Sequence, residues 1–154
     1  MSPLPRLVLD TNVVMDLFHF RTPTLAPLLA AMTSGTVICL ANDATLSELE
    51  RVTGYKQFRL DADGRQRVFD AYRAHATLVR CAANPMLPPL PKCRDPDDQM
   101  FLELALVGDA DMLISRDNLV LKLAKARQRP CPFSILSPEQ ALARLFPADI
   151  PNCA

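Results

Sequence analysis

Arg6-Leu7-Val8-Leu9-Asp10-Thr11-Asn12-Val13 is the stretch whose reading decides the fold. Leu7, Val8 and Leu9 are apolar without alternation, which suits a strand covered on both faces, as in a parallel sheet. An acid follows at once, and residues able to open a helix come next. The pattern returns at Met112-Leu113-Ile114-Ser115-Arg116-Asp117-Asn118: a short apolar run, an acid, then a helical sequence. Open α/β sheets place their ligands just outside the carboxyl ends of their strands. Asp10 and Asp117 stand where such a sheet does its chemistry.

Working outward, apolar spacing and turn residues predict alternating elements. The first strand is Arg6 to Leu9, followed by a helix from about Asn12 to Phe18 and another from about Thr24 to Met32, which Ser34-Gly35 ends. Thr36-Val37-Ile38-Cys39-Leu40 reads as the second strand. Asp43 caps the next helix, which runs through Val52 to Gly54. A helix from about Ala62 to His75 turns Val68, Phe69 and Tyr72 to the core, and Leu78-Val79-Arg80-Cys81 is a short third strand. Four prolines between Asn84 and Pro91 rule out regular structure there and predict an ordered surface loop. A helix over about Asp97 to Val107 ends at Gly108, and Met112 to Ser115 is the fourth strand. A helix from Asn118 to Ala126, a fifth strand over Phe133 to Leu136 and a last helix opened by Pro138 complete the chain. This order predicts an α/β fold, a three-layer α/β/α sandwich around a mostly parallel sheet of about five strands. Residues 1–146 form one domain and residues 147–154 a fraying tail.

Composition narrows the function. The chain has 154 residues, 49% of them apolar, enough for one well-filled core. No apolar run approaches the roughly 20 residues of a membrane span, and no signal peptide opens the chain, so a soluble, cytoplasmic protein away from membranes is expected. Seventeen basic residues balance 17 acidic ones. A protein that coats nucleic acid non-specifically would be basic overall, whereas an enzyme with an acidic centre need not be. The five cysteines are odd in number and none is spaced as CxxC, which argues against structural zinc or a disulfide framework. Cys39 and Cys81, in predicted strands, read as small buried hydrophobes. Asp61-Ala62-Asp63-Gly64 resembles the start of a calcium loop, but the twelfth position is Tyr72 where a Glu is needed, so Asp61 is a helix cap. His19 and His75 have no motif partner and read as surface residues. The Gly-rich phosphate loop of nucleotide-binding folds is absent.

Four acids carry the chemistry: Asp10, Glu48, Asp98 and Asp117. Each has an ordinary explanation. Asp10 and Asp117 could cap helices, Glu48 could be a solvated helix residue, and Asp95, Asp97 and Asp98 could offset a helix dipole. Capping alone would accept Ser, Thr or Asn as readily. Strand ends that lie side by side would mass these carboxylates in one crevice, where they repel unless protonated or holding cations. Oxygen ligands select Mg²⁺ or Mn²⁺.

Val8-Leu9-Asp10-Thr11-Asn12-Val13, Ser47-Glu48-Leu49, Asp95-Pro96-Asp97-Asp98-Gln99-Met100-Phe101-Leu102 and Gly108 to Asn118 together resemble, in order and spacing, the four acidic motifs of PIN-domain nucleases. The resemblance covers roughly residues 6 to 138, and the Asp95-Pro96-Asp97-Asp98 form is especially like the bacterial toxin components of toxin–antitoxin systems. It implies a PIN-like, Rossmann-like fold and a metal-dependent ribonuclease. Asp10, Glu48, Asp98 and Asp117 would be catalytic and hold one or two Mg²⁺ or Mn²⁺ ions, and Asp95 would either cap the helix or approach the metal through water. Thr11, Asn12 and Ser115 would orient those ligands or a bound water. In-line attack by a metal-activated water would leave a 5′-phosphate and a 3′-hydroxyl. RNA would be the substrate and a cognate antitoxin protein the partner.

Weaker signals surround these. Arg94 and Arg116, each beside a catalytic candidate, could anchor a phosphate or pair within the acidic cluster. Lys122, Lys125, Arg127 and Arg129 form a basic stretch that could contact the phosphate backbone or be a solvated face. Leu17, Phe18, Phe20 and Leu25 could form a homodimer or partner groove, or be core. Asp111, before a strand, reads as a turn residue. Two rival functions stand beside the nuclease: a non-catalytic RNA-binding or protein-interaction module, and a phosphatase with Asp10 as nucleophile, which would ordinarily carry a second Asp where this chain has Asn12.

Overall fold

The computed structural model describes residues 3–80, 90, 96–125 and 131–147. Asp95, Arg94, Arg127, Arg129, Cys81, Cys93, Cys153, most of the proline-rich stretch and the tail from residue 148 lie outside the described residues.

The chain runs β1 (Arg6–Leu9), α1 (Thr11–Phe18), α2 (Ala26–Ser34), β2 (Ile38–Ala41), α3 (Asp43–Thr53), α4 (Ala62–Ala74), β3 (Ala76–Leu78), α5 (Pro96–Val107), β4 (Met112–Ile114), α6 (Asn118–Leu121), β5 (Ser134–Leu136) and α7 (Pro138–Leu145). Single 3₁₀ turns occupy Pro23–Leu25, Lys56–Phe58 and Lys122–Lys125. The five strands form one sheet in the order β3-β2-β1-β4-β5. Every pairing is parallel, so the expected mostly parallel sheet is wholly so.

Side chains alternate across the sheet with period two. Leu7, Leu9, Cys39, Ala41, Met112 and Ile114 face one apolar cluster, built with α1, α2, α3, α4 and α7. Val8, Leu40, Leu113 and Ile135 face a second, built with α5 and Val120 of α6. The result is the three-layer α/β/α sandwich. Leu7, Val8, Leu113 and Ile114 are fully buried, each worth about 1.5–3 kcal/mol relative to exposure.

Several boundaries differ from expectation, each for a local reason. β2 starts at Ile38 rather than Thr36, because Thr36 finishes α2: its N–H and its hydroxyl both donate to Ala31 O, at 3.0 and 3.2 Å. Gly35 sits before it at φ 76°, the left-handed conformation a helix end takes readily only with glycine. α3 is capped by Asn42, not Asp43: Asn42 Oδ1 accepts from Thr45 N at 2.9 Å and Thr45 Oγ1 accepts from Asn42 N at 3.0 Å. β3 lies over Ala76–Leu78, earlier than the predicted Leu78–Cys81, because Cys39 and Ala41 of β2 take Ala76 and Leu78 as partners. The helix predicted through Ala126 is α only to Leu121 and tightens to 3₁₀ beyond. Leu17 and Leu25, at 1% and 0% exposure, are core, the second of the two readings open for them. Phe20 is 56% exposed and packs with His19 and Phe58, ring centroids 4.6 and 5.8 Å away. Asp61 caps α4 and Asp111 accepts from Arg6 N at 2.8 Å, both as read. Gly108 follows α5 where the helix meets the sheet; a Cβ there would stand 2.7 Å from Leu40 Cδ1.

Candidate active site

The strand order fixes where a ligand can enter. From β1 the chain moves outward through β2 and β3, then crosses back to place β4 on the other flank of β1. The direction of winding reverses between β1 and β4, and crevices at such reversals receive ligands in open α/β sheets. Asp10 and Asp117 follow the two strands at this point.

Register builds the first half of the site. Leu9 pairs with Ile114, and Asp10 N continues the ladder by donating to Ile114 O at 2.9 Å. Asp10 and Ser115 are thus brought side by side. Ser115 Oγ donates to Asp10 Oδ2 at 2.6 Å and accepts from Asp117 N at 3.0 Å. One hydroxyl, fully buried, ties the first acid to the backbone of the fourth. Asp10 makes no side-chain cap on α1, although it occupies the cap position. Asp117 does cap α6, its Oδ1 accepting from Leu119 N at 2.9 Å. Its capping and site readings are compatible, because a carboxylate has a second oxygen.

Asp10 is 6% exposed. Burial pushes its carboxyl above the ordinary 3.8; bonds from Ser115 and the Thr11 backbone oppose this, and the charges of Asp117 and Glu48 add to it. Asp117 and Glu48 therefore lie within electrostatic reach of Asp10. Thr11 contributes a second sign of polarity: its Oγ1 is buried and, among the described residues, has no hydrogen-bond partner. Such orphans are uncommon in folded proteins. Asn12, next along, is exposed.

The second half of the site is built by helices. Asn42 ends the β2 crossing and starts α3, which carries Glu48 in its second turn. The Glu48 side chain, 15% exposed, pairs with Arg51 on the same helix. Arg51 Nη2 also reaches Asp97 Oδ2 of α5 at 3.2 Å. Asp98, on the next position of α5, is half-buried. Among the described residues, no three acidic, histidine or cysteine side chains stand close enough together to hold one metal ion. The donor chemistry nonetheless suits a hard divalent cation: oxygen only, partly buried, mutually repelling at Asp10, and accompanied by an unsatisfied hydroxyl.

Arg51 is the residue that sequence reading missed. Its signal was present, since a Glu and an Arg three apart on a helix are neighbours. Arg116 pairs with Asp16 and, at 3.1 Å, with Glu139, both outside the four acids, so the expected pair within the acidic cluster is not the one formed. Lys122 and Lys125 border an open groove with Asn118, Leu121, Ser137 and Gln140. His19 stacks with Phe20 and His75 is exposed. No helix among the described residues is long and apolar enough to cross a membrane.

Comparison with curated proteins gives no match. The model of the PIN domain, a domain generally found in nucleases that use divalent metal ions, matches residues 6–119. That span holds Asp10, Glu48, Asp98 and Asp117 and the first four strands, so the chain belongs to the PIN-domain family.

Proposed function

We propose that the protein is a Mg²⁺- or Mn²⁺-dependent endoribonuclease that hydrolyses RNA phosphodiester bonds, acting in the cytoplasm as the toxin component of a type II toxin–antitoxin system, with a cognate antitoxin protein as partner. The observation that carries the nuclease reading is the buried Asp10 at the reversal of the sheet, bonded to Ser115 and under the charges of Asp117 and Glu48. The toxin role rests on the form of the third acidic motif, Asp95-Pro96-Asp97-Asp98.

Asp10, Glu48, Asp98 and Asp117 would hold one or two ions, with Asp95 as a further candidate. Bound ions supply positive charge to the phosphate and lower the pKa of a coordinated water. The residues of the chain do the rest. Ser115 fixes the orientation of Asp10 Oδ2 and the backbone at Asp117. The Thr11 hydroxyl has bonding capacity left for a water or phosphate oxygen. Burial keeps Asp10 short of solvent, which strengthens its attraction for any cation.

A second reading is a non-catalytic RNA-binding or interaction module that keeps the fold. Its support is Arg51, which shares its one positive charge between Glu48 and Asp97. A panel of structured RNAs incubated with Mg²⁺, Mn²⁺ or EDTA, with wild type and Asp10→Asn in parallel, separates the two. Cleavage that needs the metal and is lost in the mutant is expected. Cutting that persists through both EDTA and the substitution would sink the nuclease proposal, and no cutting by any arm would favour the module. Growth arrest on expression, relieved by a small protein encoded beside this chain, tests the toxin role.

A further inference from the structure

Glu48 and Arg51 share one side of α3. The helix ends at Thr53, and Gly54 N and Tyr55 N then donate to Arg51 O and Val52 O at 3.1 and 3.0 Å, which holds Tyr55 at the last turn, four residues beyond Arg51.

Both side chains are open to a ligand. The Arg51 side chain is 51% exposed, and among the described residues only its Nη2 is engaged, leaving Nε and Nη1. A guanidinium keeps its charge at any working pH and matches a phosphate bidentately. Tyr55 is 43% exposed. Among the described residues its ring packs on no other aromatic and its hydroxyl makes no hydrogen bond. Exposed Lys56 follows. The other exposed aromatic, Phe20, differs: its ring is already packed against His19 and Phe58.

We propose that Arg51 and Tyr55 form a subsite for single-stranded nucleic acid leading away from the acidic crevice, with Arg51 on a backbone phosphate and Tyr55 stacking on a base. Positive charge alternating with a free aromatic face is what unpaired strands bind. A duplex keeps its bases stacked on each other and has none to offer Tyr55. The subsite rests on the nuclease reading for its substrate, and its test is separate, because it measures binding and not cleavage.

The experiment is fluorescence anisotropy with a short labelled single-stranded RNA and its duplex, in Mg²⁺, with every protein carrying Asp10→Asn to prevent turnover. Tyr55→Ala should weaken single-strand binding by about tenfold, within the range given by loss of one stacked base. Duplex affinity should not change, Tyr55→Phe should bind as the parent does, and Phe20→Ala should be without effect. Arg51→Gln should lower the slope of log affinity against log salt by about one. Thermal melts confirm that each variant is folded. Tyr55→Ala binding the single strand as tightly as its parent would overturn the proposal, as would equal losses on single strand and duplex. A change in self-association with RNA affinity intact would also overturn it, and would point to a second copy on this face. Failure of the nuclease reading would show instead as RNA left uncut by wild type in any metal.

Discussion

The acids after the strands and the acids on the helices are held by different means. On the β1–β4 side, Asp10, Ser115 and Asp117 are joined by short bonds through one buried hydroxyl, and backbone register leaves them little freedom. On the α3–α5 side, Glu48 and Asp97 meet through Arg51, a long and half-exposed side chain. The first arrangement is set when the sheet forms. The second is set by surface ion pairing, which contributes little to stability and rearranges at small cost.

The comparison can be broken at several points. Asp10→Asn should have the largest effect: RNA cleavage should fall by at least about a hundredfold, the upper end of what loss of a merely orienting group costs. The same change should stabilise the metal-free protein at neutral pH. Folding raises the Asp10 carboxyl above 3.8, so the folded state binds that proton more tightly, and Asp10 costs stability as pH rises through the shifted value. In EDTA, Asp10→Asn should melt higher than wild type at pH 7, with the gap closing as pH falls toward 3.8. Equal melting temperatures throughout would mean that the rigid half is not strained.

Ser115→Ala comes next. It removes the bond to Asp10 and leaves Asp117 N–H without its partner, at a cost of about 1–3 kcal/mol in urea unfolding. Activity should drop about 10–100-fold, as for groups that orient ligands. Asn42→Ala removes the cap of the helix that carries Glu48 and should cost about 0.5–2 kcal/mol. Arg116→Ala should be smallest, within about 1 kcal/mol, because its pairs with Asp16 and Glu139 are partly exposed. A larger loss for Arg116→Ala than for Ser115→Ala would reverse the contrast between buried and exposed tethers.

The same contrast explains what was legible in the chain. The strand Arg6 to Leu9 read correctly, and Met112 to Ser115 to within one residue, because continuous apolar runs have few alternatives, and the parallel sheet followed from their alternation with helices. The bond between Ser115 and Asp10 follows from the register of β1 and β4, which the order of elements alone does not give. The choice between Asn42 and Asp43 as cap was not legible, because both are good caps and only the reciprocal bonds with Thr45 decide. The start of β3 was set by its neighbour β2, which no local pattern reveals. Leu17 and Leu25 needed tertiary packing to show that they are core. Arg116 was read from its neighbours in sequence, whereas its partners Asp16 and Glu139 lie 100 and 23 residues away. Long charged side chains choose partners only after the fold exists.

The sheet ends in β3 and β5, each only three residues long. Short rims of this kind protect a protein from recruiting stray strands. Among the described residues they offer few unpaired amides and carbonyls to a passing strand. Among the described residues, the wider surfaces for contact are the side chains of helices and turns, and changes that alter an association are to be sought there first.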